Sequence, residues 1–377
     1  MTTAVSKVLV IGGGFSGMAG AIQLRKAGIA VDLVEVDPAW QPLGAGITIS
    51  GATLRALETL GVYPEVVEQG WVSDGVDLFT FDGTKMAELP TPRPVGSAVA
   101  GGGGIMRPVL ADILARATRA AGVDVRLGCS FTTLEQDAAG VTVGFTDGSQ
   151  RHYDLVVGAD GVHSKLRALL FPEVKPLEYI GQGVWRAVMP RPAEVVRPRM
   201  WFGQHIKLGV NPVSKTHMYM FITEDRPTKE HIDPSTWPQV FAGLMRPFTD
   251  PLVQALIPRA LEPAAAIDYR PLANLLVPAP WNRGRVVMIG DTMAATTPHL
   301  ASGAGIGIES GIVLAEELGR HAELQTALDR FHARRWERCR LVIHNSERLC
   351  RIEIEGGDKQ EHARIMRESI AALAQPI

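Results

Sequence analysis

Cysteine is scarce: Cys129, Cys339 and Cys350 are the only three in 377 residues, and they are widely scattered. An odd count with no metal-ligand spacing argues against both a disulfide framework and a structural metal site, and suits a reducing compartment. Charge imbalance is missing too, with 38 Lys and Arg against 40 Asp and Glu and a formal net charge of −2. Nothing in that balance recruits nucleic acid or an anionic membrane. No apolar run reaches the ~18 residues of a membrane span. Nor does a charged-then-apolar leader precede the first apolar strand. These absences lead us to expect a cytoplasmic globular protein, long enough for two domains.

What is present is glycine in deliberate places. Lys7 to Glu35 reads KVLVIGGGFSGMAGAIQLRKAGIAVDLVE. Val8 to Ile11 is a short apolar run of the kind that forms a strand buried on both faces. Gly12, Gly14 and Gly17 then spell G-x-G-x-x-G, Met18 to Ala27 has helical spacing, and Gly28 stops the helix. A second strand, Ile29 to Val34, closes on Glu35. In such a unit the first glycine makes the tight turn, the second admits a pyrophosphate, and the third lets helix and strand pack closely. The helix N-terminus offers that pyrophosphate free N–H groups and a partial positive charge. Glu35 is placed to accept both ribose hydroxyls of an adenosine, and would repel the 2′-phosphate of NADP. FAD and NAD both remain open on this motif alone.

Further along, Gly44, Ala45 and Gly46 form a glycine-rich loop before a helix from about Ala52 to Leu60. Trp71 to Leu89 reads as short strands with a hairpin turn at Asp82-Gly83. Gly101 to Gly104 carries a large ordering cost, which predicts a mobile or tightly approached loop. Pro108 suits a first helical turn and sets Arg107 at its start, where it can reach a phosphate or ribityl chain. Val123 to Leu127, Phe131 to Glu135 and Val141 to Phe145 alternate as strands, followed by an Asp147-Gly148 turn. The next strand, Tyr153 to Gly158, runs into Ala159-Asp160-Gly161 and a second strand-to-helix transition. Gly181 to Asp268 is proline-rich with short apolar runs, and reads as a separate antiparallel sheet. A buried strand returns at Val286 to Ile289 and ends at Gly290-Asp291, before small residues lead into another helix through Gly303-Ala304-Gly305. Leu324 to Ile352 is a long arginine-rich helical stretch, read as a solvated, salt-bridged face without a function.

Three strand ends thus present an acid: Glu35, Asp160 and Asp291. In a doubly wound sheet the strand C-termini share one crevice, so the three can converge on one long ligand. Together with the stretches VVGADGVHSKLR and RVVMIGD, the latter followed by Pro298 and Gly303, they make the whole chain resemble the single-component (class A) flavoprotein aromatic hydroxylases. Two departures stand out. Thr292-Met293-Ala294 follows Asp291 where the family often has A-A-H, and Ser50-Gly51-Ala52 replaces its P-N stretch.

The resemblance implies a Rossmann-like FAD-binding domain in two parts (1–180 and 278–323), an inserted antiparallel substrate domain (181–277) and a C-terminal helical segment (324–377). It places Glu35 on the adenosine ribose, Arg107 on the pyrophosphate or ribityl region, and Asp291 on the ribityl hydroxyls. Asp160-Gly161 would lie where FAD and the nicotinamide donor press on the protein, with Gly303-Ala304-Gly305 along the pyrimidine edge of the flavin. Gly46 and Thr48 match the loop over the ring, and Phe15, Ser16 and Phe131 complete the cofactor set. The reaction implied is NAD(P)H reduction of FAD, addition of O2 at flavin C4a, and delivery of oxygen from the hydroperoxide to a small electron-rich aromatic or N-heteroaromatic ring, without a metal. Likeness to the urate, hydroxynicotinate and salicylate hydroxylases sets Lys207, Tyr219 and His299 at the substrate pocket. A core position is the alternative for Tyr219, flanked by Met218 and Met220, and solvent exposure is the alternative for Lys207. Two other functions compete: a flavin-dependent halogenase and a non-catalytic FAD-binding protein. The halogenase motif is incomplete, since Ala187 stands where its second tryptophan belongs.

Overall fold

The structure is a computed structural model that describes residues 3–41 and 44–377. Its centre is a six-stranded sheet in the order Asn282–Arg283, Val286–Met288, Leu155–Gly158, Lys7–Ile11, Ala30–Glu35 and Asp124–Leu127. All neighbours are parallel except the first pair. Val8, Leu9 and Val10 are fully buried, as befits a strand covered on both faces. The helix Phe15–Lys26 packs on Gly303–Arg320 at a crossing so close that a Cβ on Gly311 would lie 2.6 Å from the Gly20 nitrogen. Gly12 turns at φ +106°, and a Cβ there would strike the Ala159 carbonyl. The ends of the Lys7–Ile11 and Leu155–Gly158 strands therefore meet at bare backbone.

A second sheet has eight strands: Ala294–Ala295, Asp268–Leu276, Glu178–Pro190, His217–Asp225, Ile206–Pro212, Arg199–Phe202, Gly75–Thr80 and Lys85–Pro90. It draws its outer strands from beyond 181–277, so the sheet is wider than the single inserted segment read from the sequence. Period-two alternation sorts its residues. Trp185, Met218, Met220 and Ile222 join Phe241 and Leu256 of two covering helices in one core. Val184, Arg186, Tyr219 and Phe221 face the other way.

Two expectations need correcting. Gly102–Met106 is a strand, not a loop, and lies between Gly46–Ser50 and Trp71–Ser73 in a three-stranded sheet. Ladder bonds on both sides offset the ordering cost of glycine. The absent side chains let Gly103 lie against the Trp71 carbonyl and Gly104 against the Pro212 carbonyl. Tyr153 to Gly158 is also two strands. Gln150–Tyr153 closes a small antiparallel sheet, and Leu155–Gly158 enters the parallel one. Between them Asp154 accepts hydrogen bonds from the Ser6 and Lys7 amides, at 2.7 and 2.8 Å.

The chain ends in a 32-residue helix, Leu324–Glu355, a turn through Gly356, and a final helix, Lys359–Ala374. The basic stripe is only partly solvated. Arg340, Arg348 and Arg351 pair with acids at the surface, whereas Arg335 and Arg338 point inward to the buried Glu309. Among the described residues no helix is long and apolar enough to cross a membrane. All three thiols are free and buried.

Candidate active site

The C-terminal ends of the parallel strands face a cleft of about 510 Å³, whose far wall is the inner face of the eight-stranded sheet. A smaller cavity of about 170 Å³, lined by Gly13, Glu35 and Trp40, adjoins it. Gly14, Phe15 and Arg107 line both, so the first glycine turn and one guanidinium mark the junction. That is the layout of a dinucleotide: a nucleoside in the small cavity, a pyrophosphate at the junction, a second ring system in the large one.

The residues at the junction fit such a ligand. A Cβ on Gly14 would meet nothing within 4 Å, which leaves room over the helix N-terminus. Arg107 begins the helix Arg107–Ala120 and stacks on Phe15 with 5.4 Å to the ring centroid. Its buried Nε has no hydrogen-bond partner, an arrangement that wants an anion. Burial lowers its pKa, and Arg186 adds to the effect while Asp291 opposes it. The Asp291 carboxylate opens into the cleft yet is walled by protein, so burial raises its pKa against the pull of Arg107. Glu35 holds the turn together in the meantime, accepting from the Gly13 amide at 2.7 Å and the Asp37 amide at 2.8 Å.

Gly46, Thr48, Ser16, Gly161, Gly303 and Ala304 all line the cleft. Gly12 and Gly17 shape the turn from behind, and Gly305 packs against Thr53. Two expected residues face elsewhere. Phe131 packs beneath the small antiparallel sheet, against the cluster of Leu9, Val34 and Val143, because its strand belongs to that layer. The Asp160 carboxylate turns into the protein, where it accepts from the Leu166 amide at 3.0 Å and the Thr292 hydroxyl at 3.3 Å. It thereby ties the short helix Lys165–Leu170 to the turn that carries Asp291.

The three residues read as substrate-facing are all brought to the cleft. Tyr219 is not held in the core by its methionine neighbours, because alternation sends Met218 and Met220 to the opposite face. It stacks on Phe221 at 5.9 Å, and burial raises its hydroxyl pKa, opposed by Arg186. Lys207 is mostly covered, its side chain 12% exposed, and donates to Glu353 Oε1 at 2.5 Å. The His299 side chain is 1% exposed. Its Nδ1 meets the Thr297 hydroxyl at 2.9 Å, and its Nε2 meets Gln182 Oε1 at 3.1 Å and Glu353 Oε2 at 3.5 Å. Burial lowers its pKa, and Glu353 opposes that shift.

Sequence reasoning missed Arg186, Asn211 and Glu353. Arg186 sits between Trp185 and Ala187, both fully buried in the opposite core, so a strand-period reading of this segment would have aimed it at the ligand. Asn211 donates to Thr48 Oγ1 and to the Gly103 carbonyl, both at 3.0 Å, and so joins the glycine sheet to the large one. Glu353 gave no local signal, being one acid on a helix of alternating charges.

A family described as FAD binding domain matches residues 5–346. The chain is 32% identical to the aurachin C monooxygenase/isomerase of Stigmatella aurantiaca, over 92% of this chain and 89% of that protein. It is 27% identical to the FAD-dependent urate hydroxylase of Klebsiella pneumoniae, over 94% and 92%. Its fold matches Klebsiella pneumoniae HpxO complexed with FAD and uric acid, with a TM-score of 0.83, 24% identity, and coverage of 98% and 92%.

Proposed function

The chain belongs to the FAD binding domain family of flavin-dependent monooxygenases, and we propose that it hydroxylates a small, electron-rich aromatic or N-heteroaromatic ring at the expense of NAD(P)H and O2. The observation that carries this reading is the continuity of the cleft. Its cofactor half, with Arg107, Asp291 and Gly303, runs without a wall into a half lined by Arg186, Tyr219 and Phe221.

FAD, when bound, supplies the redox chemistry and the activation of oxygen. The protein supplies binding, orientation and proton handling. Arg107 and the free amides beside Gly14 hold the pyrophosphate, Asp291 accepts from the ribityl hydroxyls, and Glu35 takes the ribose. Phe221 and Val184 offer an apolar face to a flat ring, while Arg186 and Tyr219 fix its polar edge. Arg186 has one acid near it, Asp268 Oδ2 at 3.8 Å, which leaves most of its donors for a ring oxygen or carboxylate. His299 is neutral at physiological pH through burial, so it can accept a proton from a ring hydroxyl. Val184, Phe221 and Leu272 give the cleft an apolar wall that disfavours water beside the ring.

Purified FAD-loaded protein mixed with phenols, hydroxypyridines and hydroxyquinolones tests this. One compound class should stimulate NADH or NADPH oxidation and gain an oxygen atom by mass spectrometry. Halide-dependent ring halogenation, or bound FAD with no stimulation by any ring, would overturn it.

A further inference from the structure

The carboxylate of Glu353 is the meeting point of four elements. Its Oε1 takes Lys207 at 2.5 Å and His362 Nε2 at 3.1 Å, while Oε2 faces His299 Nε2 at 3.5 Å. Thr297, which lines the cleft, lies on the far nitrogen of His299 at 2.9 Å. The His362 side chain is 24% exposed, so Glu353 is held from the solvent side by His362 and faces His299 on the cleft side.

We propose that Glu353 positions His299 as the base of the reaction, holding its Nε2–H so that Nδ1 takes the proton of the substrate hydroxyl. This rests on the hydroxylase reading above. The Nε2–H of His299 points at the Gln182 carbonyl oxygen and Glu353, so Nδ1 is the free acceptor that the Thr297 hydroxyl addresses. The substrate hydroxyl gives its proton to the Thr297 oxygen as the proton of Thr297 passes to Nδ1. The imidazolium keeps its Nε2 proton, directed at Glu353, and gives the Nδ1 proton back by way of Thr297 to water as the product leaves. One proton enters, one leaves, and every group ends with its starting charge.

The surroundings suit this traffic. Burial pushes the Glu353 carboxyl up, but Lys207 and then His299 outweigh it and hold it well below the ordinary range. The carboxylate is therefore ionised at rest and stabilises a transient imidazolium. The charged and titratable neighbours are Lys207 on its strand, His362 on the final helix, Cys350 on the Leu324–Glu355 helix that carries Glu353 itself, and Asp225, itself paired with His205 at 3.1 Å. Lys207 neutralises the carboxylate, and Asp225 adds a second negative charge close by. The arginine-rich C-terminal helix thus reaches the chemistry through one acid.

The test uses FAD-loaded enzyme with labelled histidine. Without substrate or reductant, Glu353→Gln should lower the NMR titration midpoint of His299, and Glu353→Asp should restore it. In turnover, Glu353→Gln should lower kcat ~10- to 100-fold near neutral pH, with KM for the ring nearly unchanged and partial recovery as pH rises. A His299 midpoint that does not move, or a Glu353→Gln enzyme whose kcat and pH profile match the wild type, overturns the proposal. If wild-type enzyme oxidises NAD(P)H with no ring at all, the hydroxylase reading fails on its own, and the titration still decides whether Glu353 governs His299.

Discussion

Arg338 holds Glu309 in a two-point grip, Nε and Nη2 each 2.7 Å from a different carboxylate oxygen. Arg335, fully buried, approaches the same carboxylate at 3.0 Å, and Arg55 at 3.8 Å. Burial pushes the Glu309 carboxyl up, yet Arg335 and Arg338 outweigh it and hold it below its usual 4.5. A folded pKa below the unfolded one means stability that is complete above the unfolded value and lost as pH falls through the folded one.

Glu309→Gln should therefore destabilise the protein by ~3–5 kcal/mol at neutral pH, since it leaves buried arginines unpaired. Urea denaturation measures it, and the acid side of the stability curve should flatten in the variant. A change below ~1 kcal/mol would show that the arginines find other partners.

Asp291→Ala should release FAD more readily than Tyr219→Phe does. Loss of a charge-assisted hydrogen bond costs ~1.5–3 kcal/mol, roughly 10- to 150-fold in Kd. Flavin fluorescence on titration of apoprotein reads this directly. Full affinity in Asp291→Ala would remove that carboxylate from the cofactor site.

Arg186→Met and Tyr219→Phe should both keep FAD yet lose coupling, with NAD(P)H consumed and hydrogen peroxide released. The arginine variant should be the worse, with ring KM raised ~10-fold or more, because it loses a charged contact where tyrosine loses a neutral one. Equal, wild-type coupling in both would move the ring to another part of the cleft.

His332 offers a pH test away from the cleft. Its Nε2 donates to Asn282 Oδ1 at 2.9 Å, its Nδ1 is buried without a partner, and burial lowers its pKa from 6.5 to about 4. Both states are neutral above 6.5, so stability is complete there and declines as pH falls from 6.5 towards 4. The total loss is ~3 kcal/mol. His332→Gln should shrink the stability difference between about pH 7.5 and about pH 4.5 by nearly that amount. An unchanged difference would mean that His332 charges freely in the folded protein.

The parallel core was legible because its strands are unbroken apolar runs that end at glycines and acids, as Val8 to Ile11 and Val286 to Ile289 do. The convergence of Gly14 and Asp291 on one cleft followed from that, since the C-terminal ends of parallel strands lie on one edge of the sheet. Gly102 to Met106 was not legible as a strand: glycine has no strand preference of its own, and the neighbours Trp71 and Pro212 decide its conformation. Asp160 was legible as a strand-end acid, but not the Thr292 hydroxyl that turns it inward. Glu353 was beyond reach for another reason. Its partner Lys207 is 146 residues away, and nothing in a window around either one marks the other.

The C-terminal end of the final helix is fastened by its main chain. Arg55 and Arg338 donate to the carbonyls of Ala372, Leu373 and Ala374, while Met366, Ile370 and Leu373 line the cleft. Fastening and lining are thus assigned to different atoms of the same helix. A substitution that reshapes the lining leaves every one of those carbonyls in place. Met366 and Ile370, half-buried where Leu373 belongs to the core, are therefore the positions at which this helix can change the shape of the cleft without loosening its hold on the protein.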